Sequence, residues 1–335
     1  VIVALVSALV ASGCGSSSAS GSAVRLTLYS AQHQETAQAI VSAFEKATGI
    51  QVRVESNDED VLTAQIEQEG SRSPADLFYT ENSNWLTQLD QQGLLAPVNP
   101  RALGNVPKVD SAADGDWVGV SARVASMVYD TSKLSASQLP TSVMDLADPA
   151  WKGKIEIAPG ETDFWPVICS VQRTYGTART VAWLQGLKAN AGSNDDAPDN
   201  ETVTSDVSQG AAELGVINQY YWYRLRADSQ GATAHSAIAY FAPGDVGYVE
   251  DVSGAAILKS SKHQGAAQEF LSFLTSSAGQ EAIANSDSFE YPLNPQVPAN
   301  PQLTPLDQLH PNSFDPADLG TGLEAKELLQ QVGLI

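Results

Sequence analysis

Between residues 24 and 93 the chain switches three times from a two-residue to a helical apolar period, and this rhythm restricts the fold more than any other feature. VRLTLYS (24–30), IQVRVES (50–56) and ADLFYT (75–80) alternate as strands do. ETAQAIVSAFEKATG (35–49), EDVLTAQIEQEG (59–70) and NWLTQLDQQG (84–93) follow them, each closing on a glycine that suits a helix stop. Strands and helices in strict alternation predict an α/β layer with a mostly parallel sheet.

A Pro-, Gly- and Asp-rich stretch from 94 to 116 reads as loop. WVGVSARVASMVYD (117–130) then alternates for long enough to run from one domain into another. A second α/β set follows. KIEIAP (154–159), AELGVIN (212–218), AIAYFA (237–242) and VSGAAILK (252–259) are its strands, and 164–176, 177–190, 265–276, 277–286 and 323–333 its helices. Two α/β halves joined by long strands predict two lobes with a cleft between them. The expected lobes are 24–123 with 251–295, and 124–250 with 296–335. Hinges are expected near 117–128 and 247–254.

At 335 residues the chain can bury a large core in one or two domains. It carries 39 acidic against 18 basic side chains, a formal net charge of −21. Such a surface field disfavours nucleic acid and anionic lipid as partners. Residues 1–13 have a short apolar run, too short to span a bilayer and suited to a secretory signal. ASGC (11–14) resembles a bacterial lipoprotein processing site, so lipid is expected on Cys14, with 14–23 as a flexible Ser/Gly tether. Cys169 is the other cysteine and reads as a small core residue.

Catalytic templates are absent: there is no G-x-S-x-G, H-E-x-x-H, G-x-G-x-x-G, P-loop or C-x-x-C. An enzyme is therefore not expected. Ligands of open α/β sheets bind beyond the carboxyl ends of strands. His33, Glu81, Tyr220 and Tyr221 stand at those places. One imidazole, one carboxylate and two phenols suit a hard trivalent cation, because a phenol of ordinary pKa about 10 yields its proton only to a strongly charged metal. With Fe(III), one carboxylate and two phenolates would balance the charge. Trp222 and Tyr223, behind the pair, read as packing.

At these residues the chain resembles the bacterial periplasmic ferric-ion-binding proteins, the substrate-binding components of Fe(III) ABC importers. YSAQHQE (29–35), PADLFYTEN (74–82) and INQYYWYRL (217–225) carry the resemblance, with PAWKGKI, VSGAAILK and EYPLNP in order after the tether. It implies a two-lobed, hinged fold of the periplasmic-binding-protein type, with His33, Glu81, Tyr220 and Tyr221 as iron ligands. It also implies a monomer that delivers Fe(III) to a membrane permease with its ATPase. The implied location is the outer face of the cytoplasmic membrane, at the cell surface or in the periplasm.

Many members hold phosphate or carbonate beside the iron in a loop of small residues, helped by two asparagines. Asn200 and Asn218 stand at the matching positions. The loop here reads APGETDF (158–164), with Glu161 and Asp163 in place of small neutral residues. Thr162 or Asp163 is expected as the N-cap of the next helix, ahead of any direct ligand role. Phosphate binding is correspondingly disfavoured, and water or an iron chelate such as citrate becomes the alternative co-ligand. Arg123 either balances an anion or pairs with one of these carboxylates. A second reading keeps the fold but exchanges the ligand for a polyamine, thiamine or a sugar, held by Trp85, Trp165 and Trp222.

Overall fold

The computed structural model describes residues 24–228, 235–312, 314 and 316–335. The expected leader, Cys14 and the tether lie outside the described residues. Among the described residues no helix is long and apolar enough to cross a membrane.

The first layer runs β1 (Arg25–Ala31), α1 (Gln34–Thr48), β2 (Gln51–Ser56), α2 (Glu59–Glu69), β3 (Leu77–Thr80) and α3 (Ser83–Gln91). The stretch expected as loop contains the short β4 (Leu95–Ala96) and α4 (Pro100–Leu103) before β5 (Trp117–Asp130). Then come β6 (Ile155–Glu156), α5 (Trp165–Tyr175), α6 (Thr177–Ala191), α7 (Asn200–Gln209), β7 (Leu214–Asn218), α8 (Gln219–Asp228) and β8 (Ser236–Ala239). The chain closes with β9 (Glu250–Leu258), α9 (Gln264–Leu274), α10 (Ser277–Ala284), β10 (Tyr291–Pro292), α11 (Leu306–Leu309) and α12 (Leu323–Val332).

β1 pairs in parallel with β2 and β3, as the alternation predicts, and β3 pairs antiparallel with β9. All fourteen residues of β5 are buried. Its first part, Trp117 to Val124, pairs antiparallel with β9; its second part, Ala125 to Tyr129, pairs with β7, and Met127 to Asp130 with β8. One strand thus joins both sets of partners in a single ten-stranded sheet and changes partners between Val124 and Ala125, inside the stretch expected to hinge.

Apolar spacing explains the packing. α1 buries Ala37, Ile40, Val41 and Phe44, and the Phe44 ring meets Phe270 of α9 edge-on at 4.9 Å. It stops at Gly49, whose φ of 77° is a left-handed turn that glycine adopts without a Cβ clash. Cys169 is buried on α5, and burial first, then Glu324, pushes its thiol up to about 12, so it is an inert core group.

A candidate metal centre at the head of α8

His33 stands between β1 and α1, Glu81 just after β3, and Tyr220 and Tyr221 in the first turn of α8, directly after β7. The tyrosine pair is helical. Consecutive helical residues are only about 100° apart, so both phenols reach the same side, which neighbours on a strand cannot do. Their rings lie 4.3 Å apart, and His33 meets them edge-on at 5.2 and 6.1 Å. His33 Nε2 is enclosed, without a hydrogen-bond partner, 3.4 Å from Glu81 Oε1. The Tyr220 hydroxyl lies 3.3 Å from Glu81 Oε2. All four residues expected from the sequence meet at one point.

A fifth joins them. Asp163 lies in the 3-10 turn Thr162–Phe164, just ahead of α5. Its Oδ2 accepts hydrogen bonds from Tyr220 at 2.7 Å and from Tyr221 at 2.6 Å. Its Oδ1 lies 3.4 Å from Arg123 Nη2. The expectation that Thr162 or Asp163 caps the helix is wrong. Glu161 and Phe164 hold the cap positions, with no side-chain cap bond, and the Asp163 carboxylate turns inward to the phenols and the guanidinium.

Arg123, wholly buried on β5, chooses the carboxylates. Its Nη2 donates to Asp251 at 2.9 Å, directly across the strand pair, and to Asn82 Oδ1 at 2.7 Å, while Nη1 is 3.6 Å from Glu290. Asn82 passes the network on to buried Glu59, which also accepts from Trp85 and Thr80. Sequence reading missed Asn82, Glu59, Asp251 and Glu290. For Asp251 and Glu290 the signal available was an acid beside apolar, strand-like residues, where burial calls for a partner; Asn82 and Glu59, in polar stretches, carried none.

These contacts set the protonation states. Burial, then Asp163 and Glu81, raises the Tyr220 and Tyr221 phenols well above their usual value. Glu81 is likewise raised by burial and by Asp163. For Asp163 burial acts upward, but Arg123 and the two phenol bonds outweigh it and the carboxyl is lowered. His33 is pushed down to about 3 by burial, then by Arg224, and is neutral with a free lone pair.

Beside the centre opens a cleft of about 550 Å³, lined by seven carboxylates, Glu81, Glu161, Asp163 and Glu201 among them, and by no lysine or arginine. Glu161 there is pushed up to about 8 by burial and by Asp163. Of the three tryptophans considered for an organic ligand, Trp165 touches this cleft, while Trp85 and Trp222 spend their indole N–H groups on Glu59 and Ser236. Trp222 and Tyr223 are packing residues, Tyr223 stacking on Phe289. Asn200 and Asn218 line a second, much smaller cavity of about 10 Å³ on the far side of Asp163.

The described fold and this acid-rich cleft define a solute-binding protein. Residues 30–281 match the bacterial extracellular solute-binding protein family, and the chain belongs to it. Within it, the chain falls among the ferric-ion-binding proteins. The Fe(3+)-binding periplasmic protein of Serratia marcescens is 35% identical over 310 residues, covering 92% of this chain and 90% of that one. The major ferric iron-binding protein of Neisseria meningitidis serogroup B is 36% identical over 311 residues, covering 92% and 93%. Iron-bound HitA of Pseudomonas aeruginosa superposes with a TM-score of 0.88 at 40% identity, over 92% of this chain and 99% of that one. A Trichodesmium protein in complex with iron and citrate ligands superposes at 0.81 with 26% identity, over 93% and 100%.

Proposed function

We infer that this protein captures Fe(III) outside the cytoplasm in the cleft between its lobes and hands it to an ABC permease. The ligands are the phenolates of Tyr220 and Tyr221, the Glu81 carboxylate and the His33 imidazole. The carrying observation is the convergence of these four side chains, from two places in the first half of the chain and one turn of α8 in the second. The neutral imidazole and the acid-lined cleft favour a cation over an anion or a sugar. The lobes run over 24–123 with 251–295, and over 124–250 with 296–335, a division supported by the change of partners along β5. A lipid anchor on Cys14 would keep the protein beside its permease.

The test is a visible spectrum of apo protein titrated with ferric citrate. The wild type is expected to gain a phenolate-to-iron charge-transfer band that saturates at one iron per protein. A Tyr220→Phe, Tyr221→Phe double variant should stay colourless. The acidic lining also suits a polyamine; a colourless wild type that binds spermidine in calorimetry would replace the ferric reading with that one.

A further inference from the structure

We propose that Asp163 is the anion of this metal centre: its carboxylate joins the two phenolates on the bound cation, so that loading needs no phosphate or carbonate. The inference rests on the ferric reading above and extends it.

Three observations carry it. First, Asp163 Oδ2 is 2.7 and 2.6 Å from the two phenol oxygens. A small hard cation holds octahedral oxygens at about 2.0 Å, which sets neighbouring ligand oxygens about 2.8 Å apart. The carboxylate oxygen therefore already stands one coordination edge from both phenols. An entering ion takes the place of the two phenol protons that lie between these three oxygens, and both protons leave to solvent. Second, the carboxylate divides its oxygens. Oδ2 faces the phenols while Oδ1 faces the Arg123 guanidinium at 3.4 Å and Asn82 Nδ2 at 3.5 Å. The added negative charge at the metal thus has a buried counter-charge beside it. Third, an external anion finds no place. On one side of Asp163 the cavity at Asn200 and Asn218 has about 10 Å³, enough for a single water at most. On the other, the large cleft has seven carboxylates and no lysine or arginine to receive an anion.

The experiment loads the protein with Fe(III) in a chloride buffer freed of phosphate and carbonate. It records the charge-transfer band and the affinity by citrate competition, then repeats both after adding inorganic phosphate. Wild-type band position and affinity should not respond to phosphate. Asp163→Ser should lose about 10- to 100-fold in affinity without phosphate and regain part of it with phosphate, its band moving on addition. A wild-type band that shifts, or an affinity that tightens, with phosphate overturns the proposal. So does an Asp163→Ser protein that matches wild type in phosphate-free buffer. Should that variant fail to fold, the two wild-type arms decide alone. Absence of any band in the wild type ends the ferric reading and this one with it, whereas a phosphate-sensitive band ends only this one.

Discussion

Among the described residues two tyrosine clusters stand out, and one of them is built like a metal site. In the first, Tyr220 and Tyr221 point their hydroxyls at one oxygen of Asp163, with Glu81 and His33 alongside. In the second, Tyr240 and Tyr248 pack with rings 5.6 Å apart, and Tyr291 donates to the Thr304 carbonyl at 2.7 Å. Burial raises the phenols of both clusters. After burial, the Tyr220 phenol feels carboxylates first, whereas the Tyr240 phenol feels other tyrosines. Buried phenols are thus common structure here. A site needs anionic oxygens brought to them, and a buried cation to hold those anions in place.

The largest effect should come from removing that cation. Arg123→Met leaves Asp163, Asp251 and Glu290 enclosed without their partner, and should cost about 3–5 kcal/mol of stability, read from the urea midpoint. A shift of only a few tenths would mean that Arg123 does not organise the first cluster. The next contrast is in pH. Burial raises Glu250 to about 7, with Asp110 adding to it, and Asp110 itself to about 6. Burial, then Asp206, raises Glu156 to about 7. These groups lie away from the tyrosine pair. The folded chain holds their protons above about pH 4, where the unfolded chain loses them, so their contribution to apo stability falls as pH rises from about 4 to 7. With the proposed phenolate ligands, iron affinity should run the other way and rise with pH, because such binding expels phenol protons. Thermal unfolding of the apo protein and citrate competition across that range should therefore show opposite slopes. The smallest effect belongs to the second cluster. Tyr291→Phe removes one hydrogen bond and should cost about 1 kcal/mol while leaving the iron band unchanged; a weakened band would show that the two clusters are coupled.

Much of this was legible in the sequence because local chemistry decided it. The glycine stops and two-residue alternation marked the first layer, and β5 appears over the stretch that WVGVSARVASMVYD suggests. α7 escaped notice because NETVTSDVSQ offers few apolar positions, chiefly Val203 and Val207; Asp199 starts it by accepting from the Thr202 N–H, and Gly210 ends it. The direction of Asp163 was not legible either. A carboxylate ahead of a helix satisfies the local rule for a cap, and only tertiary structure brings Arg123 and the two phenols within its reach. The acids around Arg123 show the same limit, since Asp251 and Glu290 lie 128 and 167 positions further along the chain.

Gln219 gives the centre a mechanical character. Its side chain accepts from the Val124 N–H at 2.7 Å, at the point where β5 changes partner strands, and donates to the Phe289 carbonyl at 3.0 Å. The next residue along the chain is Tyr220. If the lobes turn about this crossing, the proposed ligands lie on the short arm of a lever whose fulcrum is the strand crossing. A rotation that shifts the phenols slightly displaces the outer faces of the two lobes much further. Whether the cleft is loaded would then be readable by touch from outside, without any access to the metal.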